Sequence, residues 1–388
     1  MDYVKQPLAF KVKKVARYVR LYGVARTRIK VLAQLHMRRT LETLPPRSTT
    51  LTAKQTVGLI GCGNYSFGNI AYYLRKKHGA VIGAAMDLEP HRAASLAKEY
   101  GVPFHTGDAD ELIALPGIRL IYIASNHASH AEYAIKALEA GKHVYIEKPH
   151  VVTEDQLERL VAAMRAHPGK VFLGFNRPGS RFGQIILDQL AAEPGSGMYN
   201  WFVAGHAIDP DHWYFKPEEG GRVLGNLCHW TDFVLRMAGS DAFPVRINPT
   251  RATRSDSDIA VTYTFPDETV AIITFSAKGH TFEGVAERLS AHKGDCLIAM
   301  EDYKWLRVDR REEKRMYVNR LRDHGHARNI LAAYDSVHGN LPYDREAEME
   351  HIVNTAWFFL KTREALESAE AMVIDAYPLA PRAAGARV

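Results

Sequence analysis

Short apolar runs alternate with amphipathic helices from residue 56 to residue 176, and this alternation restricts the fold more than any other feature. Apolar runs without polar alternation are typical of parallel strands that helices cover on both faces. The predicted strands are Val57–Ile60, Val81–Met86, Leu120–Ala124, Val144–Ile146 and Val171–Phe175. The predicted helices are Asn69–Lys77, Pro90–Tyr100, Ala128–Ala140 and Glu154–His167. The pattern predicts a doubly wound α/β domain over residues 54–176.

The pattern changes after residue 176. Helices are predicted at Phe182–Ala192 and Val223–Met237, on either side of a Gly/Pro/Trp-rich stretch at 195–221. Alternating runs follow at Asp258–Phe265, Thr269–Ser276 and Cys296–Met300, and two further helices are predicted at Ala327–Val337 and Glu346–Glu367. Alternation with period two is typical of strands that cover a core with one face. We therefore expect residues 177–388 to form an α+β domain on an open, mainly antiparallel sheet.

Residues 1–50 form a separate basic arm that ends in a linker containing Pro45-Pro46. Residues 1–47 carry twelve Lys and Arg against two acidic residues, so the remaining chain has a net charge of −4. An acidic body disfavours nucleic-acid binding. Apolar arm residues recur at helical spacing on both sides of Gly23, which predicts two short helices. Such basic helices can bind an anionic membrane surface, or they can pack on the body or on a neighbouring subunit.

The cysteine content favours a reducing compartment. The sequence has three cysteines, an odd number at distant positions: Cys62, Cys228 and Cys296. That arrangement is not a disulfide framework, so we expect a cytoplasmic protein, with the inner face of the membrane as the alternative location for the arm. No window approaches 18 uncharged apolar residues, which argues against a spanning helix.

A glycine-rich turn follows the first predicted strand and opens a helix. Gly61 allows a tight turn, and Gly63 allows the backbone to approach a pyrophosphate at the helix N-terminus. Asn64, Tyr65 and Ser66 continue the turn, and Ser66 replaces the third glycine of the G-x-G-x-x-G pattern. The second strand ends at Asp87, where an acid would bind the adenosine ribose hydroxyls and repel a 2′-phosphate. These residues predict a dinucleotide site that prefers NAD to NADP.

The segment Ala140-Gly-Lys-His-Val-Tyr-Ile-Glu147-Lys148-Pro149 carries the most specific signal. Because of this segment, the chain resembles the glucose-fructose oxidoreductase / inositol dehydrogenase / MocA family. The resemblance covers roughly residues 55–340. The resemblance implies a nicotinamide oxidoreductase that acts on a sugar, a sugar nucleotide or a cyclitol. It also implies that Lys148 contacts both the nicotinamide ribose and the reacting hydroxyl. The other residues that the resemblance places beside the cofactor are Ser125, Asn126, His127, His130 and Glu147.

A second segment, Gly225-Asn226-Leu227-Cys228-His229-Trp230-Thr231-Asp232, is similar to the family's catalytic helix. His229 occupies the position of the catalytic histidine. The family's usual aspartate, four residues earlier, is replaced here by Gly225, and Asn226 remains as a polar group that can orient a hydroxyl. This version is most similar to a subgroup of the family found with polysaccharide biosynthesis.

The remaining substrate-site candidates are less specific. Asn176 and Arg177 follow the last strand of the first domain, and His212 and Trp213 could face a sugar ring. Four histidines are candidate metal ligands: His127, His130, His324 and His326. No cysteine or carboxylate joins them at ligand spacing, so no metal site is expected. The sequence therefore predicts a homo-oligomeric NAD-dependent oxidoreductase of sugars, with Lys148 and His229 as catalytic residues. Two alternatives remain open: a glycosidase that uses NAD transiently, and a non-catalytic dinucleotide sensor.

Overall fold

The computed structural model describes residues 6–206, 208–209, 211–251, 258–280, 282 and 284–378. Its first sheet has six parallel strands in the order β3-β2-β1-β4-β5-β6. The strands are β1 Val57–Ile60, β2 Ile82–Met86, β3 Phe104–Thr106, β4 Leu120–Ile123, β5 His143–Ile146 and β6 Val171–Leu173. The helices are α3 Tyr72–His78, α4 Pro90–Tyr100, α5 Ala109–Ile113, α6 His130–Glu139 and α7 Glu154–Ala166. This confirms the doubly wound α/β domain.

The second sheet has nine strands in the order β14-β13-β12-β11-β7-β10-β9-β8-β15. The strands are β7 Gly197–Ala204, β8 Val245–Arg251, β9 Asp258–Thr264, β10 Val270–Ser276, β11 Ala286–Lys293, β12 Cys296–Glu301, β13 Trp305–Arg310, β14 Glu313–Val318 and β15 Met372–Ile374. Within this second sheet, β7–β10 is the single parallel pair among the described strands. The expected open, mainly antiparallel sheet is therefore confirmed.

Strand β7 lies within the stretch 195–221, for which the sequence predicted no strand. Its odd positions, including Tyr199 and Trp201, are buried, whereas Met198 and Phe202 are 58% and 47% exposed. Because the exposed face also carries apolar residues, the apolar–polar alternation that signals a strand is absent.

Four helices complete the second half of the chain: α8 Arg181–Ala191, α9 Cys228–Ala238, α10 His326–Val337 and α11 Arg345–Ser368. Helix α11 packs between the two sheets, against α7, α9 and β8. Helix α10 lies in the sequence range of the second domain but packs on the first. Its buried residues Ile330 and Ala333 join the core under β1, and the Tyr122 hydroxyl of β4 donates a hydrogen bond to the Ile330 carbonyl at 2.7 Å.

The basic arm forms two helices, α1 Leu8–Tyr22 and α2 Val24–His36, which pack on the body of the same chain. Arg26 donates to the Gly68 carbonyl and the Asn69 side chain. His36 donates to the Cys62 carbonyl at 2.6 Å and stacks on Phe67. No helix within the described ranges has the length and apolar character needed to cross a bilayer.

Candidate active site

The turn after β1 has the geometry of a nucleotide-binding loop. Gly61 has a φ of +85°, and a Cβ there would lie 2.5 Å from the Ala124 carbonyl oxygen, so glycine is required. A Cβ on Gly63 would meet nothing within 4 Å, so this part of the turn is open to a ligand. Ser66, in place of the third glycine, donates its hydroxyl hydrogen to the Gly61 carbonyl at 2.5 Å. The turn is thus closed by its own residues while its outer side stays accessible.

Asp87 follows β2 and is fixed by this turn. Its Oδ2 accepts the N–H of Cys62 at 2.8 Å, and its Oδ1 accepts the N–H of Glu89 at 2.9 Å. A carboxylate has about four acceptor positions, so two remain for the hydroxyls of a ribose. The Arg92 guanidinium lies 3.8 Å from Oδ1. An open glycine turn, a helix N-terminus and an oriented acid together fit NAD, with Gly61, Gly63 and Asp87 as the residues that would hold it.

Two other predicted cofactor residues lie at the start of the helix after the turn. Asn64 is the first helical residue, and Tyr65 follows it. The Tyr65 hydroxyl lies 3.2 Å from His326 Nδ1 at the start of α10. The side chain of Tyr65 therefore links the turn to the second half of the chain.

The loop after β4 connects the two domains. Ser125 and Ser129 share a hydrogen bond of 2.7 Å, and Asn126 Nδ2 donates to Glu219 Oε1 at 2.7 Å. His127 Nδ1 donates to the Glu219 carbonyl at 2.8 Å, and burial lowers the pKa of His127 well below its usual range. Glu219 is buried and belongs to the second domain. Sequence reasoning missed this residue, because a lone glutamate beside two glycines carries no recognisable signal.

His130 joins the same loop to the segment after β5. Its Nδ1 donates to the Pro149 carbonyl at 2.7 Å, and its Nε2 lies 3.2 Å from the Ser125 carbonyl. Burial lowers the pKa of His130 to about 4, so the imidazole is neutral at physiological pH. Both ring nitrogens face backbone carbonyls, and the structure therefore gives His130 the role of fixing the loop that would face the cofactor.

Glu147 and Lys148 follow β5 and differ sharply in environment. Glu147 is buried, accepts a hydrogen bond from the Tyr145 hydroxyl at 3.0 Å, and burial raises the pKa of its carboxyl group. The Lys148 side chain reaches the second domain, where its Nζ donates to the Gly225 carbonyl at 2.8 Å. This bond brings together the two sequence segments that carry the family resemblance, which are 77 residues apart.

His229 lies at the start of α9, directly after the π-helical segment Val223–Leu227. The side chain is buried, and its Nδ1 has no hydrogen-bond partner within the described part of the chain. Burial, followed by the charges of Arg177 and Lys148, lowers the pKa of His229 well below its usual range. His229 is therefore a neutral imidazole whose free nitrogen can accept a hydrogen bond or a proton.

The structure explains why position 225 has no carboxylate. A Cβ on Gly225 would lie 2.1 Å from the Tyr214 hydroxyl oxygen and 2.5 Å from His127 Cε1. These two side chains fill the space that a side chain at 225 would occupy. The neighbouring Asn226 accepts a hydrogen bond from Arg222 Nη1 at 3.0 Å through its Oδ1.

The residues after β6 have different environments. Asn176 Nδ2 donates to the His324 carbonyl at 2.6 Å, while its Oδ1 is buried with no partner among the described residues. Arg177 forms two hydrogen bonds of 2.7 and 2.8 Å with the buried carboxylate of Glu287, which also accepts from Trp230 Nε1 at 3.0 Å. The charge of Arg177 is therefore already paired, whereas the Asn176 oxygen is available to a ligand.

His212 and Trp213 lie on the surface beside His127. His212 is exposed, and its Nδ1 accepts the N–H of Tyr214 at 3.3 Å. Trp213 is 37% exposed and contacts the edge of the His127 ring, with 5.0 Å between ring centroids. In the described part of the chain, no group of three or more His, Cys, Asp or Glu side chains could hold a metal ion.

Comparison with known proteins agrees with this geometry. Residues 55–175 match the family model for the "Oxidoreductase family, NAD-binding Rossmann fold". The inositol 2-dehydrogenase of Ralstonia nicotianae is 34% identical over 209 residues, a match that covers 52% of this chain and 59% of that enzyme. The chain thus matches somewhat over half the length of this curated relative.

Two solved structures share the fold over most of the chain. GenD2 from gentamicin A biosynthesis, in complex with NAD, has a TM-score of 0.69 at 17% identity and covers 86% of this chain and 100% of that one. Levoglucosan dehydrogenase, in complex with NADH and levoglucosan, has a TM-score of 0.68 at 16% identity. That match covers 82% of this chain and 98% of the dehydrogenase chain. The family match shows that residues 55–175 form an NAD-binding Rossmann domain of this oxidoreductase family, and the two solved structures show that the fold is shared over most of the chain.

Proposed function

We propose that this protein is an NAD-dependent oxidoreductase that transfers hydride between the nicotinamide and a carbon bearing a hydroxyl or ketone in a sugar or nucleotide sugar. One observation carries the proposal. Lys148 Nζ donates a hydrogen bond to the Gly225 carbonyl, in the segment before α9. His229 lies four residues beyond Gly225, and its buried Nδ1 has no hydrogen-bond partner within the described ranges. Open α/β sheets bind ligands at the carboxyl ends of their strands, which is where Lys148 lies.

The chain's own residues would position the substrate and manage its proton. NAD, when bound, supplies the hydride acceptor or donor. Lys148 would donate a hydrogen bond to the reacting oxygen and stabilise the negative charge that develops there. His229 would take up the hydroxyl proton during oxidation and return it during reduction. Asn176 Oδ1, a second buried acceptor without a partner in the described residues, would receive a hydrogen bond from another hydroxyl of the substrate.

Two measurements test this proposal. Mass spectrometry of small molecules released from the denatured protein should detect NAD(H). The native protein should then reduce NAD⁺ with at least one member of a panel containing myo-inositol, levoglucosan and a nucleoside diphosphate sugar. Net NADH formation distinguishes a dehydrogenase from a glycosidase that oxidises its substrate only transiently. Absence of NADH formation across the panel, with no binding of NAD(H), would contradict the proposal.

We further infer that the arm attaches the protein to an anionic membrane surface. Two apolar stripes on the arm are exposed although the helices are docked: Leu8, Val12 and Val15 on α1, and Val24, Val31 and Leu35 on α2. Exposed cations accompany them: Lys13, Arg20, Arg28, Arg38 and Arg39. Apolar area and attraction to anionic lipids together determine interfacial binding, and each cation near such a surface contributes about 1 kcal/mol.

Vesicle co-sedimentation tests this attachment. The protein should bind phosphatidylserine-containing vesicles at low salt, and binding should weaken as salt screens the cations. Val12→Asn combined with Val31→Asn should reduce binding, whereas Leu341→Asn, which replaces an exposed apolar residue between α10 and α11, should not. Equal binding by both variants, or no binding to anionic vesicles, would leave the arm as an intramolecular clasp.

Finer assignments follow from the same features. The segment Cys228-His229-Trp230-Thr231-Asp232 supports a role in polysaccharide assembly, and the buried thiols of Cys62, Cys228 and Cys296 support a cytoplasmic location. A homo-oligomer is supported by exposed apolar residues on the outer face of the nine-stranded sheet: Met198, Phe202, Leu297 and Met316. Sedimentation velocity should report a species larger than one chain, and Phe202→Lys should shift it towards the monomer.

A further inference from the structure

The hydroxyl of Tyr214 is buried beside the centre of the site and has no assigned role. Tyr214 is 7% exposed, and its hydroxyl oxygen has no hydrogen-bond partner within the described ranges. Buried polar atoms without a partner destabilise a folded protein, so they are rare and require an explanation. A ligand that supplies the missing partner is one such explanation.

The position of this hydroxyl points to the substrate site. It lies over Gly225, at 2.1 Å from where a Cβ would be, and the carbonyl of that same residue accepts the hydrogen bond from Lys148 Nζ. The Lys148 ammonium and the Tyr214 phenol therefore both contact Gly225. His229 lies four residues further along the same helical segment.

The phenol is also held in place. Tyr214 belongs to the short 3₁₀ turn Trp213–Phe215, and its own N–H donates to His212 Nδ1 at 3.3 Å. The His127 ring packs against the Tyr214 ring edge-on, with 4.7 Å between centroids. A side chain fixed on both sides presents its polar atom in one geometry, as a specific substrate contact requires.

We propose that the Tyr214 hydroxyl, which together with His127 fills the space of a side chain at position 225, donates a hydrogen bond to an oxygen of the substrate. This inference rests on the proposed function and adds a substrate-contacting residue to it. Burial raises the pKa of Tyr214 well above its usual range, so the phenol stays protonated and acts as a donor. No proton is transferred through it, and proton transfer remains with His229.

Tyr214→Phe tests the inference, because it removes the hydroxyl and keeps the ring that covers Gly225. We expect kcat/KM to fall by roughly 10²-fold on the panel member that the unmodified protein oxidises fastest. NADH affinity and the apparent pKa values of the pH–rate profile should be unchanged, and the Tm of the ligand-free protein should be equal or higher, because a buried hydroxyl without a partner is removed. The matched control is Tyr263→Phe, since Tyr263 is buried in the nine-stranded sheet and shares a hydrogen bond of 3.2 Å with Thr362. It should lower Tm and leave kcat/KM unchanged.

Several results would overturn the inference. A Tyr214→Phe protein with unchanged kcat/KM shows that the hydroxyl does not contact the substrate. A shifted alkaline limb of the pH profile shows that the phenol transfers protons instead of donating a fixed hydrogen bond. If the unmodified protein neither binds nor oxidises any member of the panel, the proposed function fails and this inference fails with it. If the unmodified protein oxidises a panel member and Tyr214→Phe oxidises it equally well, the proposed function stands and only this inference fails.

Discussion

The two halves of the candidate site satisfy their polar groups in different ways: the proposed cofactor side contains Asp87 and Glu147, and the proposed substrate side contains Asn176, Tyr214 and His229. On the cofactor side, Asp87 and Glu147 already accept hydrogen bonds from their own domain. On the substrate side, three buried polar atoms have no partner in the described part of the chain: Asn176 Oδ1, Tyr214 Oη and His229 Nδ1. The folded chain therefore already orients Asp87 and Glu147, whereas Asn176, Tyr214 and His229 each keep a buried polar atom without a partner in the described part of the chain.

Both sides contain a π-helical segment, but they use it differently. Ser66–Ala71 follows the nucleotide turn, and Val223–Leu227 precedes His229. Such segments are rare and occur frequently at functional sites. The first follows a turn closed by its own glycines and serine. The second contains Gly225, whose missing side chain makes room for Tyr214 from elsewhere in the chain.

Lys148→Ala should have the largest effect and should separate the two sides. Turnover should fall by roughly 10²–10⁴-fold, because the reacting oxygen loses its charged partner, while NADH affinity changes much less. Lys142→Ala is the matched control, since Lys142 precedes the same strand and its Nζ also donates to carbonyls, those of Leu115 and Ile118. Steady-state kinetics and calorimetry measure both quantities. Near-normal turnover of the Lys148 variant would place the chemistry elsewhere.

His229→Asn should act in the same direction with a smaller effect. An asparagine can still accept a hydrogen bond but cannot exchange a proton, so turnover should fall by roughly 10²-fold. His105→Asn is a suitable control, because His105 lies on the edge strand β3 and bonds the Pro45 carbonyl at 3.0 Å. Loss of NADH binding in the His229 variant, at unchanged Tm, would contradict the separation into two sides.

Asp87→Ala should change the cofactor side alone. Removing the acid loses the ribose contact and the repulsion of a 2′-phosphate, so the preference for NAD(H) over NADP(H) should shrink by roughly tenfold, about 1.4 kcal/mol. Glu89→Ala removes the same charge two residues away, from an exposed side chain, and should leave the preference unchanged. Tighter binding of NADP(H) than of NAD(H) by the unmodified protein, measured by calorimetry, would refute the role of Asp87.

Acid pH should reduce stability through the buried histidines. Burial lowers the pKa of His150 to about 3 and that of His130 to about 4, against about 6.5 in an unfolded chain. As the pH falls below about 6.5, the unfolded chain binds these protons before the folded chain does. The folded state is therefore most stable above about pH 6.5 and loses stability as the pH falls from there through the lowered pKa values. Each such histidine contributes up to about 1.4 kcal/mol per pH unit. Urea unfolding at several pH values should show this slope, and His150→Phe should reduce it; an unchanged slope would contradict it.

The sequence predicted the first domain well because its signals are local. Strand β1 and helix α4 have the predicted bounds, since a buried parallel strand and a helix bounded by Pro90 and Gly101 depend on neighbouring residues. Strand β7 was missed because Met198 and Phe202 lie on its exposed face, so its apolar pattern does not alternate. Its place in the centre of the nine-stranded sheet depends on paired residues 72 to 96 positions away.

The candidate site shows the same division. Gly61, Gly63 and Asp87 lie as their spacing predicted, because backbone geometry determines the turn. Arg177 was expected at the substrate, but its charge is paired with Glu287, which is 110 residues away in the sequence. Tyr214 was not predicted at all, because its contact with Gly225 depends on how a 3₁₀ turn and a helix meet. Contacts of this kind have no signal in one sequence.

The most direct test of the two-sided site is a crystal structure of the protein with NADH and the best polyol of the panel. The account predicts the pyrophosphate at Gly63, the adenosine ribose at Asp87, and a polyol oxygen within about 2.7–3.2 Å of both Lys148 Nζ and His229 Nδ1. It predicts that the Tyr214 hydroxyl also gains a substrate partner. A polyol bound away from Lys148 and His229, or NADH bound away from the turn after β1, would contradict the account.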